Sequence, residues 1–259
     1  MGETQGVLLD IDGVLTVSWV ALPGAVETVA WLRREGMPFR LITNTTTHTR
    51  RDLAATLGTA GFAVEPGEIV TAVVATASYL RAHHAGARVF VLSDGDARED
   101  LDGVELASVD EAEVVVLGGA GENFTYPALN RVFRRLAEGA TLVGMHRNLY
   151  WRTAEGWQLD GGAYVAGLEE ATGRRAAICG KPAAAYFEEA LRLLGVSADR
   201  AVMVGDDVEN DVLGAQGAGI TGVLVRTGKF LATDLERANG SPDHVLDSIA
   251  DLPAWLGAR

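Results

Sequence analysis

The chain has 259 residues, a single cysteine, and 22 Lys and Arg against 35 Asp and Glu, giving a formal net charge of −13. One cysteine excludes an internal disulfide, no apolar run reaches the ~20 residues of a membrane-spanning helix, and the acidity argues against nucleic acid or an anionic membrane as partner. The start, Met1 to Gln5, shows neither the basic nor the apolar region of a signal peptide, so the expectation is a cytoplasmic protein.

Short apolar runs alternate with longer amphipathic stretches along the chain. Gly6 to Ile11 reads as a buried strand. Pro23 to Glu35 reads as a helix with Ala25, Val29 and Leu32 on one face and Gly36 as its stop. Phe39 to Thr43 is a second strand. Thr47 to Ala60 and Ile69 to Ala82 read as helices. Strands follow at Arg88 to Leu92 and Glu113 to Leu117, a helix at Tyr126 to Glu138, and a strand at Thr141 to Val143. Tyr150 to Leu159 reads as a hairpin turning at Glu155-Gly156. Pro182 to Leu194 reads as a helix opened by proline and closed by Gly195. Ala201 to Val204 and Gly222 to Val225 are two more strands. This alternation predicts an α/β protein with a doubly wound, mostly parallel sheet.

In open sheets of this kind, ligands bind beyond the carboxyl ends of the strands. The first strand runs into Asp10-Ile11-Asp12-Gly13. In extended chain the two carboxylates point to the same side, and Gly13 lets the chain turn sharply after them. So close a pair resists ionising together, which suits a nucleophile beside an acid/base group, or else a shared hard cation. The second strand ends in Thr43-Asn44, which offer either a phosphate contact or a helix cap. Lys181, next to Pro182 and the start of a helix, suits an anion. The strand ending at Val204 meets Asp206, Asp207 and Asp211, a charge density that needs solvent, a helix N-terminus or a cation.

The order Asp-x-Asp-Gly, Thr-Asn, Lys-Pro, Gly-Asp-Asp-x-x-x-Asp resembles the four motifs of the haloacid dehalogenase-like hydrolase superfamily, over nearly the whole chain. The long stretch between Asn44 and Lys181 implies the class II arrangement, with a cap inserted between the second and third motifs. Within that class the pattern looks like subclass IIA, the p-nitrophenyl, phosphoglycolate and pyridoxal phosphatase group. The segments Gly6 to Leu15, Pro23 to Glu27, Gly121 to Tyr126 and Val225 to Phe230 resemble the branch of phospholysine phosphohistidine inorganic pyrophosphate phosphatases and their HAD-domain-containing relatives. The resemblance implies a Rossmann-like core at about residues 1–79 plus 179–259, and an inserted α/β cap at 80–178. It implies Asp10 as nucleophile, forming an aspartyl phosphate, and Asp12 as acid and then base. Thr43 and Lys181 would hold the transferring oxygens, and Asn44 would orient the intermediate. Mg²⁺ would be held by Asp10, the backbone carbonyl of Asp12, and Asp206, supported by Asp207 and Asp211. The implied substrate is a small phosphorylated molecule, with an inorganic pyrophosphatase, a protein-phosphohistidine phosphatase or a non-catalytic binding protein of the same fold as the alternatives, and the implied assembly is a homodimer.

Other patterns carry less. Gly180-Lys181 and Gly228-Lys229 lack the earlier glycine and the following Ser or Thr of a phosphate-binding loop. Cys179 reads as a small buried residue. In the cap region, His146, Arg147 and Asn148 precede Tyr150 and Trp151. This cationic and aromatic cluster is expected to contribute to substrate specificity.

Overall fold

The computed structural model describes residues 4–153 and 156–258. The chain forms two compact units. The first comprises Met1–Thr43, Arg50–Val70 and Lys181–Arg259, and the second Asn44–Thr49 and Thr71–Gly180.

The first unit is built on a sheet with spatial order His244–Leu246, Thr221–Val225, Ala201–Gly205, Gly6–Asp10, Phe39–Thr43 and Ile69–Thr71. Gly6–Asp10 pairs in parallel with Ala201–Gly205 on one side and Phe39–Thr43 on the other. All five residues of Gly6–Asp10 are buried, which explains why it reads as a continuous apolar run rather than an alternating one. Its core joins Val7, Leu9 and Ile11 to Leu41, Leu53, Val202 and Val223. The sheet changes direction of winding between Gly6–Asp10 and Ala201–Gly205. That is the topological switch point, where crossovers leave a crevice at the carboxyl ends. Leu9 lies opposite Val204, so Asp10 and the segment starting at Gly205 leave the sheet side by side.

The second unit has its own parallel sheet, with spatial order Ala177–Ile178, Thr141–Gly144, Val114–Leu117, Arg88–Leu92 and Glu105–Leu106. Residues alternate between two cores. Val114 and Val116 join Val89, Val91 and Ala72, whereas Val115 and Leu117 join Leu92, Leu142 and Val132. This is the period of two expected of a sheet covered on both faces.

Several elements differ from the sequence reading. Ile69–Thr71 is an edge strand, and the helix is Ala72–His83, capped by the Thr71 hydroxyl accepting from Val74 N–H. That whole helix belongs to the second unit, so the expected boundary at 79/80 falls inside it. The helix expected from Thr47 begins at Arg50. Pro182 does not open a helix. It follows a cis peptide, and the helix is Ala184–Leu194, ended by Gly195 at φ 77°. Gly161–Thr172 is a helix that the sequence reading missed. The hairpin strands are Tyr150–Thr153 and Gly156–Leu159, and the expected turn residue Glu155 lies outside the described residues.

Candidate active site

The first strand ends at Asp10, so the extended-chain argument for Asp10 and Asp12 stops there. Asp12 forms an isolated bridge with Thr16 and is only half-buried, whereas Asp10 is buried. Gly13 follows at φ 92°, the left-handed region that favours glycine. A methyl group at Gly13 would come 1.9 Å from Asp206 Oδ2. The turn therefore lies directly against the carboxylate delivered by the neighbouring strand.

Asp206 follows Gly205 at the end of Ala201–Gly205. The next turn, Val208–Leu213, is a π-helical segment that returns Asp211 to the same place. A Cβ at Gly205 would sit 2.2 Å from Cβ of Asp211, so only glycine permits this return. One carboxylate oxygen from each of Asp10, Asp206 and Asp211 lies within 4.8 Å of the others, all three buried. Asp207 lies outside this group. Its Oδ1 accepts from Glu209 and Asn210 N–H, and its Oδ2 from the Asn210 amide. That is the capping role expected of an acid at a helical N-terminus.

Lys181 closes the group. Its Nζ donates to Asp10 Oδ1 and to Asp211 Oδ1, each at 2.6 Å, with the ammonium buried. Burial opposes the charge on Lys181, but Asp10 and Asp211 outweigh it and raise its pKa, so it is an ammonium. Burial pushes the carboxyls of Asp206 and Asp211 up to about 6 and raises that of Asp10 against the pull of Lys181. Three buried acids face the buried ammonium of Lys181 and, from the exposed side, that of Lys229, which leaves negative charge over, at a cost that a cation would remove.

The residues fit a divalent metal on a second ground. Oδ2 of Asp206 accepts from Lys229 N–H at 2.6 Å, whereas its Oδ1 is buried without a hydrogen-bond partner. A hard oxygen donor held in this way matches Mg²⁺. Asp10, Asp206 and Asp211 supply side-chain oxygens within reach of a common ion.

Thr43 is buried at the end of Phe39–Thr43. Its N–H donates to the Tyr186 hydroxyl at 2.9 Å. That hydroxyl lies 3.0 Å from Thr43 O and 2.7 Å from Val70 O, so its one proton serves one of the two carbonyls. Tyr186, on the helix Ala184–Leu194, thus fixes the backbone of Thr43. Asn44 belongs to the second unit, where its Oδ1 would be 2.7 Å from a Cβ at Gly180.

The three expected specificity residues have separate surroundings in the second unit. His146 is buried, accepts from Asn148 N–H at Nδ1, and places Nε2 3.8 Å from Asp160 Oδ2. Burial lowers its pKa, with Asp160 opposing, which favours the neutral ring. Arg147 pairs with the buried Glu169 at 2.6 Å. Asn148 is exposed, and its carbonyl accepts from Gly162 N–H. Cys179 is buried, and desolvation pushes its thiol up to about 12, so it is inert as a nucleophile.

Lys229 is a site residue that sequence reasoning missed. Desolvation opposes its charge, and Asp10 and Asp206 together outweigh it and raise its pKa. With Asp206, Asp207, Glu209 and Arg237 it borders a cavity of about 180 Å³. The signal was available, because Thr227-Gly228-Lys229 follows the carboxyl end of Thr221–Val225. Asking what ends that strand finds it, as it found Asp10 and Asp206.

Residues 7–107 match the family model of haloacid dehalogenase-like hydrolases, and residues 178–252 match a second model of HAD-hydrolase-like proteins. The chain is 38% identical over 238 residues to human haloacid dehalogenase-like hydrolase domain-containing protein 2, covering 92% of this chain and 90% of that protein. It is 36% identical over 257 residues to the rat phospholysine phosphohistidine inorganic pyrophosphate phosphatase, covering 97% and 93%. The structure is similar to the p-nitrophenyl phosphatase from Archaeoglobus fulgidus, with a TM-score of 0.91, 29% identity and 100% of both chains covered. It is also similar to NagD from E. coli K-12, with a TM-score of 0.88, 28% identity, and 96% and 98% covered.

Proposed function

We propose that this chain, which belongs to the haloacid dehalogenase-like hydrolase family, is a Mg²⁺-dependent phosphatase that cleaves a small phosphate ester through an aspartyl phosphate on Asp10. The observation that carries the reading is the buried group of Asp10, Asp206 and Asp211 around Lys181, at the switch point of the first unit's sheet.

The geometry supports the following roles. Lys181 holds Oδ1 of Asp10 at 2.6 Å, and the other oxygen of Asp10 attacks phosphorus in line with the leaving oxygen. Because Lys181 is anchored by two carboxylates, its charge is fixed in place before the phosphoryl group arrives. Such preorganised charge costs no rearrangement as the transition state forms. Thr43, whose backbone is pinned by Tyr186, offers its hydroxyl to a phosphoryl oxygen, and Asn44 orients the product of the first step. Asp12, half-buried rather than sealed in, protonates the leaving oxygen. It then takes a proton from the water that hydrolyses the aspartyl phosphate. Bound Mg²⁺, held by Asp10, Asp206 and the carbonyl of Asp12 with Asp211 beside it, would offset the repulsion between carboxylate and phosphate and stabilise the charge on the transferring group. Asp207 supports the arrangement by capping the turn that carries Asp211.

The first unit supplies all of these residues except Asn44 and is proposed as the catalytic core. The second is proposed as the cap, with His146, Arg147 and Asn148 contributing to substrate choice. The similarity to a phospholysine, phosphohistidine and pyrophosphate phosphatase over 97% of the chain favours phosphoamidates and pyrophosphate as a second substrate class. A phosphate-release panel with Mg²⁺ tests the reading. It would include p-nitrophenyl phosphate, phosphoglycolate, pyridoxal phosphate, sugar phosphates, nucleotides, phosphoamidates and pyrophosphate. Mg²⁺-dependent release from at least one monoester is expected. Release from none, or release unaffected by a chelator, refutes it.

A further inference from the structure

Asp206 is held by a segment to which neither the four motifs nor the roles above assign anything. Thr227, Gly228 and Lys229 leave the strand Thr221–Val225 and cross the turn that follows Asp12. The Thr227 hydroxyl donates to the carbonyl of Gly13 at 2.5 Å. The N–H of Lys229 donates to Asp206 Oδ2 at 2.6 Å. Between them lies Gly228, at φ 62°. A Cβ there would be 2.1 Å from Asp206 Oδ2 and 2.3 Å from the Cα of Gly13. Gly13 itself has room for no side chain, because its Cβ would come 1.9 Å from the same Oδ2. Asp206 Oδ2 is therefore enclosed by two glycines and fixed by one backbone N–H. The carboxylate cannot rotate without breaking that bond or striking backbone. Its Oδ1 is left buried and without a hydrogen-bond partner.

We propose that Thr227, Gly228 and Lys229 form a positioning clasp that holds one oxygen of Asp206 so that the other is presented to a divalent cation. The inference rests on the metal reading given under the proposed function and adds residues to it. The clasp acts through Asp206 and touches neither the phosphoryl group nor its leaving oxygen. Thr227 ties the clasp to the Gly13 turn, so the Asp12–Gly13 loop and Asp206 are held in one register. Outer residues that orient a metal ligand contribute to affinity even though they never touch the ion.

The test measures ion binding directly on the full chain, by counting free Mn²⁺ with electron paramagnetic resonance. Thr227→Val keeps the side-chain shape and removes the hydroxyl. It is expected to weaken Mn²⁺ binding by roughly 10-fold, the low end for an orienting partner of a ligand, while the chain stays folded. Thr227→Ser restores the hydroxyl and is expected to bind as the wild type does. Gly228→Ala is expected to weaken binding further. If it fails to fold, the pair at position 227 decides alone. Turnover of p-nitrophenyl phosphate by Thr227→Val recovers at saturating Mg²⁺, so the change falls on the metal constant rather than on kcat. Equal affinity in Thr227→Val and wild type, or weak binding in Thr227→Ser, overturns the clasp while leaving the metal reading intact. A wild type that binds Mn²⁺ no better than Asp206→Asn overturns the metal reading, and the clasp with it.

Discussion

Lys181→Met removes the ammonium that joins Asp10 to Asp211 and leaves a side chain of similar length. Two buried carboxylates then remain with oxygens within 4.8 Å of each other. At an effective dielectric constant near 20, two unit charges at that distance repel by about 3.5 kcal/mol. Breaking a buried ion pair from one side costs roughly 3–5 kcal/mol by experience with other proteins, a consistent figure. The expected result is a fall in Tm on the order of 10 °C in the presence of a chelator at pH 8. The carboxyls escape repulsion by taking up protons, so the deficit relative to the wild type shrinks toward pH 5. Mg²⁺ restores part of the stability, because it supplies the missing positive charge. Turnover does not return with it, since the charge at Nζ is lost from the transition state, and kcat falls by roughly 10²–10³. Thermal unfolding at pH 5 and pH 8, each with chelator and with Mg²⁺, reads all of this. A stability loss equal at both pH values, or none in chelator, refutes the reasoning.

Three further outcomes follow from the same geometry. The metal-free wild type loses stability as pH rises from about 4 to above 6. The carboxyls of Asp206 and Asp211 lie at about 6 in the folded protein against an ordinary 3.8, so the fold binds protons that the unfolded chain has released. Tm measured in chelator against pH shows this slope, and saturating Mg²⁺ flattens it. Tyr186→Phe removes the buried hydroxyl that accepts from Thr43 N–H, at a cost of about 1–3 kcal/mol in urea unfolding, and kcat/KM falls with the loss of Thr43 positioning. Asp12→Asn slows hydrolysis of the aspartyl phosphate, so rapid mixing with p-nitrophenyl phosphate gives a burst of p-nitrophenol before a slow steady rate. A linear trace at the slow rate counts against Asp12 as the base of the second step.

The parts legible in the sequence are those fixed by local rules. Asp10, Asp206 and the crevice between them follow from strands that end in acids and from the switch-point rule. Lys229 follows from the same rule applied to one more strand. The Ile69–Thr71 strand was hidden because Val70 to Ala77 is apolar apart from Thr71 and Thr76, too little polarity to mark where a period of two becomes a period of 3.6. The helix Gly161–Thr172 was missed because it opens on two glycines, residues that disfavour helix. The structure supplies a reason for one of them, since a Cβ at Gly161 would lie 1.9 Å from Gly118 O. Pro182 misled because a proline near a helix start is read as its first residue. Neither the hydroxyl of Tyr186 reaching Thr43, 143 positions away, nor the separation of His146 from Arg147 was visible in the sequence. Both depend on tertiary neighbours that spacing along the chain does not reveal. The net charge of −13 likewise gains meaning only in place, because three of those acids gather at one site and two of them hold one lysine.

The central claim is that Asp10 attacks phosphorus. Asp10→Asn keeps the size of the side chain and removes its nucleophilic charge. With Mg²⁺ at saturation and the variant shown to be folded by circular dichroism, p-nitrophenyl phosphate turnover is expected to fall by a factor on the order of 10⁴ or more, as when a covalent nucleophile is lost. Turnover undiminished in Asp10→Asn would contradict the account.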